Sequence, residues 1–100
     1  MTRVSLYVEL NAKPGKEDEV ASFLASAQSL VAAKSGTVTW FAVRYDRSTF
    51  AIFDAFNDEA GRATHLGGQV AAALLAHADE LLATPPQIRK ADVLADKLPA

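Results

Sequence analysis

Between Val4 and Asn11 the chain alternates without a break. Val4, Leu6, Val8 and Leu10 fall on one side, and Ser5, Tyr7, Glu9 and Asn11 on the other. Period two over eight residues predicts a strand within residues 3 to 12 whose faces differ chemically. Such a strand must bury its apolar side against other elements of the same chain. With 100 residues there is room for one core and not two, so residues 1–100 are expected to form a single domain.

The rest of the sequence supplies the partners. Lys13-Pro14-Gly15-Lys16 breaks the alternation with turn formers. From Glu17 the period changes: Val20, Phe23, Leu24, Ala27 and Val31 make one stripe of an amphipathic helix. Its first turn holds Glu17, Asp18 and Glu19, where the helix dipole favours negative charge, and Gly36 is a natural stop. Two β-rich runs follow, Thr37 to Tyr45 and Thr49 to Phe56, divided by Asp46-Arg47-Ser48, which predicts a hairpin. Its register stays open. A two-residue loop puts Trp40 and Arg44 on the face opposite Ile52, Asp54 and Phe56; a three-residue loop puts all five together. Asn57 or Asp58 caps a short helix ending at Gly67-Gly68. A longer helix runs from about Gln69 to Ala83 and stops before Pro85-Pro86. The tail from Gln87 to Leu98, with Ile88, Val93, Leu94 and Leu98, suits a last strand at an edge or exchanged between subunits.

The order βαββααβ predicts an α+β, ferredoxin-like fold: a four-stranded antiparallel sheet with helices on one face. The other face carries Tyr7 and apolar neighbours with no helix to cover them. Pairing two such faces across a two-fold axis closes a dimeric α+β barrel, so a homodimer is expected.

Composition narrows the function. Ten basic against twelve acidic side chains, net charge −2 and no basic cluster, exclude nucleic acid as the main partner. The absence of cysteine removes disulfides, thiolate catalysis and iron–sulfur clusters. The opening MTRVSLYVEL lacks the marks of a signal peptide, and no run of 18 apolar residues exists. A cytoplasmic protein with no membrane span is therefore expected.

Several segments resemble the antibiotic biosynthesis monooxygenase superfamily of dimeric α+β barrels. They are the opening strand running into Lys13-Pro14-Gly15-Lys16, the entry Gly36-Thr37-Val38-Thr39-Trp40, and the strand end Phe53-Asp54-Ala55-Phe56. The run Phe56-Asn57-Asp58-Glu59-Ala60 through His65-Leu66 is similar to the family's aromatic-x-[DE]-E-A…H segment. The resemblance covers nearly the whole chain. It implies a cofactor-independent monooxygenase or oxidase acting on a small phenolic, quinol or polycyclic aromatic substrate, with no flavin, haem or metal. Such chemistry needs a dry aromatic pocket, a base and a donor for growing negative charge. The alternative is a non-catalytic module that holds an apolar small molecule in the same pocket. One quinone-forming branch has asparagine where Ile52 stands, tryptophan at Phe56, and tyrosine about where Arg62 stands. The haem-degrading branch places asparagine at Val8, tryptophan near His65 and its histidine ligand near Leu75. This chain departs from both.

Each candidate residue carries two readings. His65 is either a base or hydrogen-bond donor at the pocket mouth, or ties a helix end to a carbonyl. Asp54 interrupts an apolar strand; it is either a base made avid by desolvation or a structural partner of Arg44. Trp40 and Arg44 either hold an aromatic anion by stacking and charge, or serve as an interface tryptophan and an arginine paired to Asp46 or Asp54. Ile52 and Phe56 are expected to line the pocket. His77 reads as a solvated helix flank. Two histidines without cysteine give no recognisable metal spacing, so no metal site is expected.

Overall fold

Residues 2–33 and 36–99 are described by a computed structural model. The elements are β1 (Val4–Asn11), α1 (Glu17–Ala32), β2 (Thr39–Arg44), β3 (Thr49–Phe56), α2 (Glu59–Leu66), α3 (Gln69–Leu81) and β4 (Gln87–Asp92). The strands form one antiparallel sheet in the order β2-β3-β1-β4. This is the ferredoxin-like α+β arrangement the element order predicts.

The turn after β1 is built from its own residues. The Lys16 amide donates to the Lys13 carbonyl at 2.9 Å, and Gly15 takes φ +87°, so Pro14 and Gly15 occupy the positions that suit each. The Glu17 carboxylate accepts the Gly15 amide at 2.8 Å and lies 3.5 Å from Arg47 of the β2–β3 loop. Its own backbone amide first, then those two groups, hold that carboxyl below its ordinary range. On α1 the buried stripe is Val20, Leu24, Ala27 and Val31, with Phe23 half-buried beside it.

The hairpin register is now determined. Arg44 pairs with Phe50, and the Tyr45 amide donates to the Thr49 carbonyl at 2.8 Å, leaving Asp46, Arg47 and Ser48 as a three-residue loop. Asp46 Oδ1 accepts the amides of Ser48 and Thr49 at 3.0 and 2.9 Å, and both bonds lower its proton affinity. Arg44 donates to the carbonyls of Asp46 and Arg47 at 3.1 and 2.7 Å. Trp40, Ala42 and Arg44 thus share the helix-covered face with Phe50, Ile52, Asp54 and Phe56.

Under the helices, Val8, Leu10, Phe50 and Ile52 pack with Val20, Leu24, Leu74 and Leu81. A smaller cluster of Ala27, Val31 and Val70 lies beside it, and Trp40 touches both. On the opposite face Phe41 and Phe53 are 57% and 40% exposed, Val43 and Tyr45 are also exposed, and the Tyr7 and Tyr45 hydroxyls lie 3.2 Å apart.

The expected strand from Ile88 to Leu98 is shorter than the sequence suggests. It ends at Asp92, opposite Val4, the first residue of β1. Beyond it the chain is held by the Val93 amide on the Arg3 carbonyl and by Asp96, which accepts the Thr2 amide at 2.9 Å and the Thr2 hydroxyl.

Candidate functional site

Asp54 lies on the helix side of β3, opposite Leu6 of β1 and Trp40 of β2, and is 1% exposed. A carboxylate there needs a partner, because desolvation without compensation is costly. The partner is His65, whose Nε2 lies 2.8 Å from Asp54 Oδ2. Arg44, the partner the sequence suggested, is bound instead to the hairpin carbonyls and sits over the Phe50 ring at 4.9 Å.

His65 reaches this position through the geometry of α2. The Asp58 carboxylate accepts the Gly61 amide at 2.8 Å and starts the helix directly after β3. Arg62 then fastens it to the sheet. This buried side chain donates from Nη1 to the carbonyls of Ser5 at 3.2 Å and Ala91 at 3.4 Å, and pairs with Glu59. That guanidinium holds the Glu59 carboxyl below its usual range. Gly61 faces Gly36 closely enough that a Cβ on it would sit 3.1 Å from the Gly36 carbonyl oxygen. The side chain of His65 is 12% exposed, and its ring packs against Phe56 with centroids 5.4 Å apart.

A cavity of about 350 Å³ opens beside His65, between α2, the start of α3 and the approach to β2. Its wall includes Val31, Thr37, Thr64 and Gln69, together with four glycines. A neighbouring groove of about 300 Å³ shares Val31 and Thr37 with it and is bordered by Trp40. His65 is the one ionisable side chain among the described residues of the cavity wall.

With Nε2 beside Asp54 Oδ2, an imidazole protonated on Nε2 carries its lone pair on Nδ1. Asp54, 2.8 Å from Nε2, fixes the position of the ring. The pair can therefore accept a proton from a hydroxyl or an acidic C–H in the cavity. Two buried polar atoms nearby have no hydrogen-bond partner among the described residues, Asp54 Oδ1 and the Trp40 indole Nε1.

The structure thus brings together Asp54, His65, Phe56 and, one strand away, Trp40. Arg44 and Ile52 are elsewhere: Arg44 caps the hairpin, and Ile52 is buried in the main core. His77 is exposed on α3, with Nδ1 3.8 Å from Glu80 and its ring edge-on to Phe23 at 6.3 Å, bordering a broad groove between α1 and α3. Sequence reasoning missed Arg62 and the glycine wall. Gly61, an unfavourable residue inside a short helix, is the signal that marked a close approach there. Among the described residues no group of three or more His, Asp or Glu side chains could hold a metal ion, and no helix is long and apolar enough to cross a membrane.

This sheet order with three helices on one side is a fold shared with solved structures named as antibiotic biosynthesis monooxygenases. At family level it belongs with a protein of unknown function from Nitrosomonas europaea, 58% identical over 100% of this chain and 97% of the other, with a TM-score of 0.97. The fold is also shared with two proteins provisionally named antibiotic biosynthesis monooxygenases. One, from Nitrosomonas europaea, is 13% identical over 92% of this chain and 99% of its own, with a TM-score of 0.82. The other, from Caulobacter crescentus, is 16% identical over 94% and 92%, with a TM-score of 0.80. No protein-family model and no curated protein matches the chain.

Proposed function

We propose that this chain is a homodimeric, cofactor-independent oxygenase or oxidase acting on a small phenolic, quinol or polycyclic aromatic compound, with His65 as the base and Asp54 as its partner. The observation that carries this reading is the Asp54–His65 pair, with His65 on the wall of a cavity of about 350 Å³. Proton removal from a phenol, or from a methylene it activates, leaves an electron-rich anion. That anion passes an electron to O₂, and recombination places oxygen on carbon. Converting a methylene to a carbonyl in this way consumes one O₂ and releases one water, so no bound redox group is required. Phe56 keeps water from one side of the imidazole and Trp40 borders the adjoining groove, which favours a flat aromatic guest. Two copies pair through the exposed Phe41–Phe53 face, and the segment after Asp92, with Leu94 93% exposed, reaches the partner.

Oxygen uptake with a panel of hydroquinones and anthrones tests the reading. Turnover is expected with at least one, slowed about tenfold or more in His65→Ala and unchanged in His77→Ala. No uptake from any compound, or equal loss in both variants, overturns it. A second reading is favoured by the absence of a cationic side chain from the described cavity wall, which leaves no strong donor for a developing oxyanion. In that reading the chain binds the aromatic molecule without converting it, and calorimetry shows stoichiometric binding with the ligand recovered intact.

A further inference from the structure

The two unpartnered buried atoms near the site have opposite polarity. Trp40 Nε1–H can only donate, and Asp54 Oδ1, whose sister oxygen is held by His65, can only accept while the carboxyl is ionised. They belong to residues paired directly across β2 and β3, with both side chains on the helix-covered face. Buried donors and acceptors are nearly always satisfied, because leaving them bare forfeits their hydration without return. Two such atoms, on residues paired across neighbouring strands, are complementary to a single small group. That group must accept one hydrogen bond and donate another. A hydroxyl does both, whereas an ether or carbonyl oxygen can only accept and a hydrocarbon does neither.

We propose that Trp40 Nε1–H and Asp54 Oδ1 form a slot that reads a hydroxyl of the aromatic ligand, making Trp40 a specificity-determining residue. The inference deepens the cavity reading above and rests on it. The hydroxyl enters as the deepest atom of the guest, at the seam where the His65 cavity and the Trp40 groove share Val31 and Thr37. Both slot atoms are buried, so the walls must part to admit it. The wall at Gly36, Gly61, Gly67 and Gly68 has no side chains to repack when they do. In this pose His65 remains on the other carboxylate oxygen, so recognition and proton transfer use different atoms of one aspartate.

Trp40 is the one tryptophan in the chain, so its indole N–H gives a single resonance in a ¹⁵N-labelled sample. The probes are 1-naphthol, 1-methoxynaphthalene and naphthalene, titrated by calorimetry and by that resonance. Wild-type protein is expected to bind 1-naphthol at least about tenfold more tightly than the other two, which is about 1.4 kcal/mol. Only 1-naphthol should move the indole resonance downfield. Trp40→Phe keeps a ring and removes the donor; it should weaken 1-naphthol about tenfold and change naphthalene by less than about twofold. Circular dichroism confirms that the variant is folded, and Trp40→Tyr serves as the second variant if it is not. Equal binding of the three probes, meaning that the slot holds water only, overturns the proposal. So does an indole resonance indifferent to 1-naphthol, or failure of all three probes to bind. Hydroxyl-selective binding without oxygen uptake from any quinol leaves the slot standing and removes the oxygenase reading alone.

Discussion

Replacing Arg62 by methionine removes a guanidinium while keeping most of its aliphatic stem, and the structure says what should be lost. The side chain is 9% exposed and donates to two main-chain carbonyls, Ser5 on β1 and Ala91 on β4, at 3.2 and 3.4 Å. Hydrogen bonds from a charged donor contribute roughly 1.5–3 kcal/mol each, and these long ones belong at the lower end. The Ala91 carbonyl retains the Ser5 hydroxyl at 3.3 Å, so only the Ser5 carbonyl loses its side-chain partner outright. Glu59, 63% exposed, rehydrates when its partner goes, so that ion pair adds little. The expected loss is therefore about 2–3 kcal/mol, a large part of the 5–15 kcal/mol typical of a domain. Urea unfolding at fixed protein concentration, followed by circular dichroism, should show the midpoint falling by roughly 1–2 M for a slope near 1.5 kcal/mol/M. Arg62→Lys should recover little, because a point charge cannot span two carbonyls as the planar fork does. Glu59→Gln should move the midpoint far less. A shift below about 0.3 M for Arg62→Met would refute the claim that this residue fastens α2, and with it His65, to the sheet.

Further outcomes follow from the same structure. Asp46, Glu17 and Asp96 all have proton affinities lowered on folding, by the Ser48 and Thr49 amides, by Glu17's own amide and by Thr2 respectively. Their stabilisation is complete above the ordinary carboxylate values near 4 and is lost as pH falls through the lower folded values. Urea midpoints should accordingly fall on acidification from about pH 5, and Asp46→Asn should destabilise at pH 7 yet not once the carboxyl is protonated in both states. Gly15→Ala, with open space around the new Cβ but φ +87°, should cost about 1 kcal/mol from the backbone alone, and Gly15→Asn less. Light scattering at micromolar concentration should give twice the chain mass, and Phe53→Asp on the exposed sheet face should halve it; a wild-type monomer removes the barrel.

Much of the architecture was legible because it depends on local period. The alternation at Val4–Asn11, the Val20–Val31 stripe and the Asp58 cap each follow from a few neighbouring residues. The hairpin register was not legible, because it is decided by side chains acting on the loop backbone. Asp46 takes two amides and Arg44 two carbonyls, which stabilises three loop residues over two. For the same reason Arg44, read as pairing with Asp46 or Asp54, binds the Asp46 and Arg47 carbonyls and not Asp54. The Asp54–His65 contact depends on how α2 lies across the sheet. That angle is set by Arg62 and by the Gly36–Gly61 approach, neither of which has a periodic signature. The end of β4 depends on where β1 begins, far away in sequence.

That last dependence has a consequence in time. β1 is a central strand, yet its two neighbours are made at very different moments. β3 completes one ladder about forty residues after β1, whereas Gln87–Asp92 completes the other only near the end of the described chain. At roughly 5–20 residues per second, a growing chain carries β1 with one edge open for several seconds. The late ladder also closes the longest loop in the fold, so it is the slowest pairing to form. Every residue of β4 is exposed and, among the described residues, β1 is its sole ladder partner, so its amides should be the first in the sheet to exchange with solvent. Until that strand docks, the same edge of β1 is open to any other extended segment, including the β4 of a neighbouring chain.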